Sequence, residues 1–281
     1  MEIFTLWLWP LLALILLPGL LVYFGLHVVE RGIIFVDLAL AQIAALGICV
    51  AIALGAHPGH DALPYVLSVV FTLLGAGLFA WTRFNHPRVP QESIIGIIYV
   101  VSAAAATLVL SHSAEGDEAL KSLLVGNVLL VTKKEVLFTF GLFAVIGIVH
   151  VLLRQKFLMV TFHEDQAKAK GIALRLWDFL FYATFGLTVV SFVQITGVYL
   201  VFSYLIVPAV CGALLSADIR TRLIIGWTVA LIAGVSGLLL SVKLETFDLP
   251  TGPTIVCCFG VLLIGTALVM LVRNGRGADH A

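Results

Sequence analysis

The chain has 281 residues and a formal net charge of zero; 61% of it is hydrophobic and 11% charged, against roughly 25% charged in an ordinary soluble domain. Such a surplus of apolar surface excludes a soluble globule, which needs polar cover, and the balanced charge excludes a basic face for nucleic acid. A bilayer absorbs the surplus, at about 20 mostly apolar residues per spanning helix, so the chain holds eight to ten spans and little else.

Nine apolar segments follow in order, at 7–28, 33–54, 65–82, 93–111, 136–153, 177–193, 196–215, 223–242 and 254–272. They predict an all-α, polytopic membrane bundle of about nine transmembrane helices in a single domain over 1–281. Helices are the expected form because a backbone in lipid must satisfy its own hydrogen bonds. The opening MEIFTLWLWP lacks the basic start of a cleaved signal peptide and reads as a retained helix. The second segment carries Asp37, the only acid deep inside a predicted span. A charge there costs about 3 kcal/mol unless it is paired or hydrated. Asp37 is therefore a candidate pathway, gate or metal-ligand residue, with Glu30 and Arg31 as its nearest charged neighbours in sequence. Gln42 lies five residues on, about 140° around an ideal helix. It is a candidate pathway group or interhelical hydrogen bond.

Between the second and third segments, G-A-H-P-G-H-D-A places His57, His60 and Asp61 in a turn, a candidate loose cation funnel. Two further external polar groups are His112, Glu115, Asp117 and Glu118, and then Glu245 and Asp248. The sixth and seventh segments are nearly continuous, and Gln194 to Gly197 supplies the turn between them. Pro18 and Pro208 predict local kinks. Cys49, Cys211, Cys257 and Cys258 all fall in apolar stretches without a C-x-x-C spacing, which predicts buried thiols.

The connections alternate in charge. One set carries twelve of the sixteen basic residues, including Arg31, Arg83, Arg154, Lys168, Arg222 and Arg273; the other carries Lys121, Lys133, Lys134 and Lys243. The positive-inside rule then puts the N-terminus outside and the C-terminus in the cytoplasm. The long connection 154–176 becomes cytoplasmic. Within it, the stretch from Phe162 to Gly171 predicts a short helix with acids at its start, lysines near its end and a glycine stop. Small residues at Ala167, Ala169 and Gly171 permit close approach of another subunit. A compact helix seated in a cytoplasmic ATPase would transmit motion to the membrane helices.

The same stretch resembles the loop F-D-P-E-x-A-x-A-x-G of the ABC-3 type metal importer permeases. Phe162, Asp165, Ala167, Ala169 and Gly171 match without gaps, with Glu164 between them and His163 departing from the pattern. Glu92 and Gly96, then Leu124, Gly126 and Asn127, then Gly197 and Pro208, and finally Asp248-Leu249-Pro250 with Gly252 resemble further motifs of that family, in order. The resemblance implies a non-enzymatic permease subunit of an ABC importer that carries zinc, manganese or iron across a bacterial or archaeal plasma (inner) membrane. It implies a homodimer, cytoplasmic ABC ATP-binding subunits that hold the ATP, and an extracytoplasmic metal-binding protein. The chain has no phosphate-binding loop of its own and is expected to bind no cofactor, the metal being cargo. One departure bears on that cargo. Where the family carries G-D-A-L-S-H, this chain has Asp37-Leu38-Ala39-Leu40-Ala41-Gln42, so Leu38 and Gln42 stand at the Asp and His positions. That keeps open a permease for a chelated metal of siderophore or corrinoid type. A secondary transporter of the drug/metabolite type is the alternative from another class. An intramembrane enzyme would need a cluster such as H-E-x-x-H within the spans, and the sequence has none.

Overall fold

The computed structural model describes residues 2–56, 61–83, 89–111, 126, 128–243 and 249–278. Eleven α-helices run through them: α1 (Glu2–Arg31), α2 (Val36–Ala53), α3 (Leu63–Trp81), α4 (Gln91–Leu110), α5 (Lys133–Leu152), α6 (Arg154–Phe162), α7 (Glu164–Ala169), α8 (Leu174–Thr196), α9 (Val198–Leu215), α10 (Ile219–Lys243) and α11 (Thr251–Ala278). Among the described residues, nine of these are long and apolar enough to cross a membrane, and only α6 and α7 are not. The protein is an all-helical membrane bundle, with its span ends within a few residues of the apolar segments.

α1, α2, α8 and α9 form the interior, whereas only 11% of the span in α11 is buried. Lipid tails are as apolar as leucine, so helices in a bilayer associate through close packing of small residues. α2 meets that need with Ala39, Ala41, Ala44, Ala45 and Gly47. A methyl group added at Gly47 would come within 2.6 Å of the Leu67 carbonyl oxygen on α3. The peripheral place of α11 also corrects one expectation. Cys49 and Cys211 are buried, but Cys257 is exposed, because its helix touches the bundle along a narrow stripe.

Local chemistry sets several ends. Thr132 and Glu135 form a reciprocal capping box at the start of α5. α8 stops at Gly197, whose φ of 80° suits glycine, and the chain turns directly into α9, as the sequence predicts. Gly126, itself at φ 61°, lies against this turn so closely that any side chain there would collide with the backbone of Thr196 and Gly197. Two glycines far apart in sequence thus lock one corner. α1 and α9 continue through Pro18 and Pro208.

The loop 154–176 holds two helices where one was expected. α6 follows α5 almost at once, and His163 (φ −140°, ψ 55°) breaks the helix before α7 begins. α7 ends in a Schellman motif: the Gly171 N–H donates to the Lys168 carbonyl at 3.0 Å and the Ile172 N–H to the Ala167 carbonyl at 3.0 Å. Gly171, at φ 69°, is the stop its position predicts.

Candidate functional site

Two polar regions stand out in the bundle. The first gathers at the end of the bundle where α1 and α3 finish and α4 and α8 begin. Asp178, in the first turns of α8, is 1% exposed and takes two arginines. The Arg31 guanidinium from α1 donates to its Oδ1 at 2.9 Å, and Arg83, just past α3, donates to its Oδ2. Arg83 also donates to Glu164 of α7 at 2.6 Å, and Lys168 closes an i,i+4 pair with the same carboxylate at 2.8 Å. Arg31 further donates to the Thr161 hydroxyl at 3.0 and 2.9 Å and covers the Phe181 ring at 4.1 Å. One buried carboxylate therefore ties α1, α3 and α8 together, and Arg83 extends the tie to α7.

Glu164 feels opposing influences. Partial burial raises its carboxyl pKa, while hydrogen bonds and charges from Lys168 and Arg83 lower it; the net displacement is below the usual glutamate value. The outward side of α7 is free for a partner: Asp165, Lys168 and Ala169 are exposed, whereas Ala167 is fully buried beneath them. Phe162 packs its ring against His27 at 5.9 Å between centroids.

The second region is a cavity of about 530 Å³ walled by α2, α4, α8, α9 and α11. Its polar lining consists of Gln42, Tyr99, Thr107, Gln194, Tyr199 and Ser203, all neutral. Thr107 and Ser203 spend their hydroxyl protons on carbonyls of their own helices. The Gln42 and Gln194 amides make no hydrogen bond among the described residues, so both are available to a solute. Leu38 and Gln42, one helical turn apart, share this wall.

Asp37 is on α2 but outside that lining. It is 1% exposed, and its Oδ1 has no partner. Its surroundings differ from those expected, since Arg31 turns to Asp178 and Glu30 pairs with Arg222 at 3.3 Å. The acid near Asp37 is Glu92 at the start of α4, whose Oε1 accepts the Phe35 N–H at 2.9 Å as α2 begins, while its Oε2 is buried without a partner. Asp37 and Gln42 are thus not brought to one place. His57 and His60 lie outside the described residues, as do His112, Glu115, Asp117, Glu118, Glu245 and Asp248; Asp61 is exposed ahead of α3. Among the described residues, no three His, Cys, Asp or Glu side chains group as a metal site. Sequence reading missed Asp178 and the Arg83–Glu164 link. Its only available signal was an acid set beside Trp177 at the edge of a span.

The fold and these regions define a polytopic membrane transport subunit. Residues 4–270 match the model of the ABC 3 transport family, and the chain belongs to that family. The chain is 26% identical over 232 residues to the manganese transport system membrane protein MntC of Halalkalibacterium halodurans, covering 83% of this chain and 76% of that one. It is 27% identical over 172 residues to the chelated iron transport system membrane protein YfeD of Yersinia pestis, covering 61% and 57%. Its fold is similar to that of PsaBC from Streptococcus pneumoniae, solved in complex with a Fab, with a TM-score of 0.75 at 21% identity over 93% of this chain and 90% of that one. Family membership removes the drug/metabolite secondary transporter as an alternative.

Proposed function

We propose that this chain is the membrane-spanning permease of an ABC importer that brings a divalent metal, zinc, manganese or iron, into the cytoplasm. It works as a homodimer with two cytoplasmic ATP-binding subunits and an extracytoplasmic metal-binding protein, in a bacterial or archaeal plasma membrane. Hydrolysis of ATP belongs to the partner. The N-terminus is outside, so α6 and α7 are cytoplasmic, in keeping with the weight of basic residues on that side. The observation that carries the reading is the link from α7 through Arg83 to Asp178. α7 offers an exposed face to an ATPase, and its Glu164 is linked through Arg83 to Asp178 on the helix whose far end walls the cavity.

In this reading Phe162, Glu164, Asp165, Ala167, Ala169 and Gly171 form the coupling element, with Ala167 and Gly171 setting its seat and stop. Gln42 lines the pathway; Asp37 acts at the mouth of α2 with Glu92. The test is co-purification of the chain with its ATP-binding subunit. Reversing the charges of Glu164 and Asp165 should abolish it and stop uptake of radioactive metal; retained ATPase binding would refute the coupling role.

The neutral wall favours a second reading, in which the cargo is a chelated metal. Bare zinc or iron seeks imidazole, thiolate or carboxylate, and the cavity lining offers amides and hydroxyls. A hydrated ion with six waters fills about 180 Å³ at some 30 Å³ each, so the cavity has room for a larger complex. Uptake of ⁵⁵Fe supplied free against ⁵⁵Fe supplied as a preformed chelate separates the two.

A further inference from the structure

Away from the transport cavity and the charge network's centre, a cavity of about 380 Å³ lies between α1, α5, α6 and α10. It falls within the size range of small-molecule sites, roughly 300–1,000 Å³. Its body is apolar, with Leu20, Val151, Leu158 and Trp227 among the walls. Val151 is 66% and Trp227 39% exposed, so it opens on the outer surface of the bundle, which faces acyl chains in a membrane. The Trp227 indole N–H is already bonded to the Pro18 carbonyl at 3.1 Å, which leaves the ring as apolar wall.

Two arginines line the same cavity at the charged end of the bundle: Arg154, which opens α6, and Arg220, in the first turn of α10. Both are exposed, and neither belongs to an ion pair among the described residues. The nearby Asp218 attracts Arg220 but is itself exposed and accepts from the Thr221 N–H and hydroxyl at 2.9 Å each. Uncommitted guanidinium groups are well suited to phosphate, which they grip in a planar, two-pronged fashion. An apolar groove ending in two such groups matches a molecule with an anionic phosphate head and a hydrocarbon tail.

We propose that this cavity is a binding site for one anionic phospholipid. The phosphate lies between Arg154 and Arg220, and an acyl chain runs along Leu20, Val151, Leu158 and Trp227. Because Phe162 and His27 also line it, the lipid sits behind the helix pair that carries α7. The site is independent of the metal and of the direction of transport.

Native mass spectrometry of the full chain tests it, with equal phosphatidylglycerol and phosphatidylcholine in the micelle. The wild type should retain one phosphatidylglycerol selectively. The double variant Arg154→Gln/Arg220→Gln should lose it by about tenfold, whereas Arg154→Lys/Arg220→Lys, which keeps the charges without the two-pronged grip, should lose less. Gly147→Leu should also lose it, because a Cβ at Gly147 meets only Leu20, at 3.9 Å, and a longer side chain fills the cavity. Arg175→Gln, which removes an exposed charge outside the cavity, should change nothing. Retention by the glutamine or leucine variant, an equal loss in Arg175→Gln, or no preference in the wild type would overturn the proposal. Displacement of the lipid by millimolar inorganic phosphate would overturn it in favour of a free-anion site.

Discussion

The charge network and the neutral cavity share one helix and follow opposite rules. Asp178 and Gln194 both lie on α8, sixteen residues apart, or about 24 Å at 1.5 Å per residue. Around Asp178, two arginines, a threonine and Glu164 satisfy one another. Around Gln194, the wall is neutral, and its two glutamine amides have no partner among the described residues. Saturated polar groups hold structure, while unsaturated ones in a cavity wait for a solute. In the proposed function, mechanical work falls to one end of α8 and solute contact to the other.

The strongest way to break that contrast is to remove Asp178. Asp178→Ala leaves Arg31 and Arg83 facing a buried gap, and breaking a buried pair costs about 3–5 kcal/mol. Thermal unfolding in detergent should show that loss; a loss under about 1 kcal/mol would mean that the network is not saturated as described. Next comes the α8–α9 corner. Gly197→Ala forces a side chain into a backbone region (φ 80°, ψ 161°) that is essentially reserved for glycine, at about 1–3 kcal/mol, beside a Gly126 already in contact. The same melting measurement checks it.

A smaller effect is expected where the network reaches the surface. Glu164 is 34% exposed, and exposed pairs contribute about 0.2–1 kcal/mol. A double-mutant cycle with Arg83→Gln and Glu164→Gln should return coupling of that size. It should also depend on pH with a definite sign. The Glu164 carboxyl is held below its usual value, so its contribution is full above a pH of about 4.3 and disappears as pH falls through the lowered value. Coupling that survives well below that window would exclude the ionised pair. The smallest change in stability belongs to the cavity. Gln42→Leu and Gln194→Leu should shift unfolding by less than about 0.5 kcal/mol yet reduce solute uptake severalfold. A large stability loss with normal uptake would reverse the division of labour.

Much of this was legible before any coordinates. Hydrophobic runs of spanning length marked nine helices, Gly197 marked the α8–α9 turn, and Gly171 marked the end of α7, because each depends on local backbone chemistry. The partners of the charges were not legible. Arg31 lies six residues from Asp37 and 147 from Asp178, yet it bonds to the distant acid. Glu92, visible only as part of a motif, caps the start of α2 from another helix. The exposed place of Cys257 was equally hidden, since a helix that is apolar all round does not reveal which face it buries.

By itself, then, the amino-acid sequence determined that this protein crosses a membrane, roughly where, and with which turns, because hydrophobic length and the φ preferences of glycine act within a few residues. Tertiary structure alone decided that Asp178 rather than Asp37 gathers the arginines, that Leu38 and Gln42 share a neutral cavity wall, and that Arg154 and Arg220 flank an apolar groove. Those outcomes depend on which helix faces meet, and they follow from close packing between segments tens to more than a hundred residues apart.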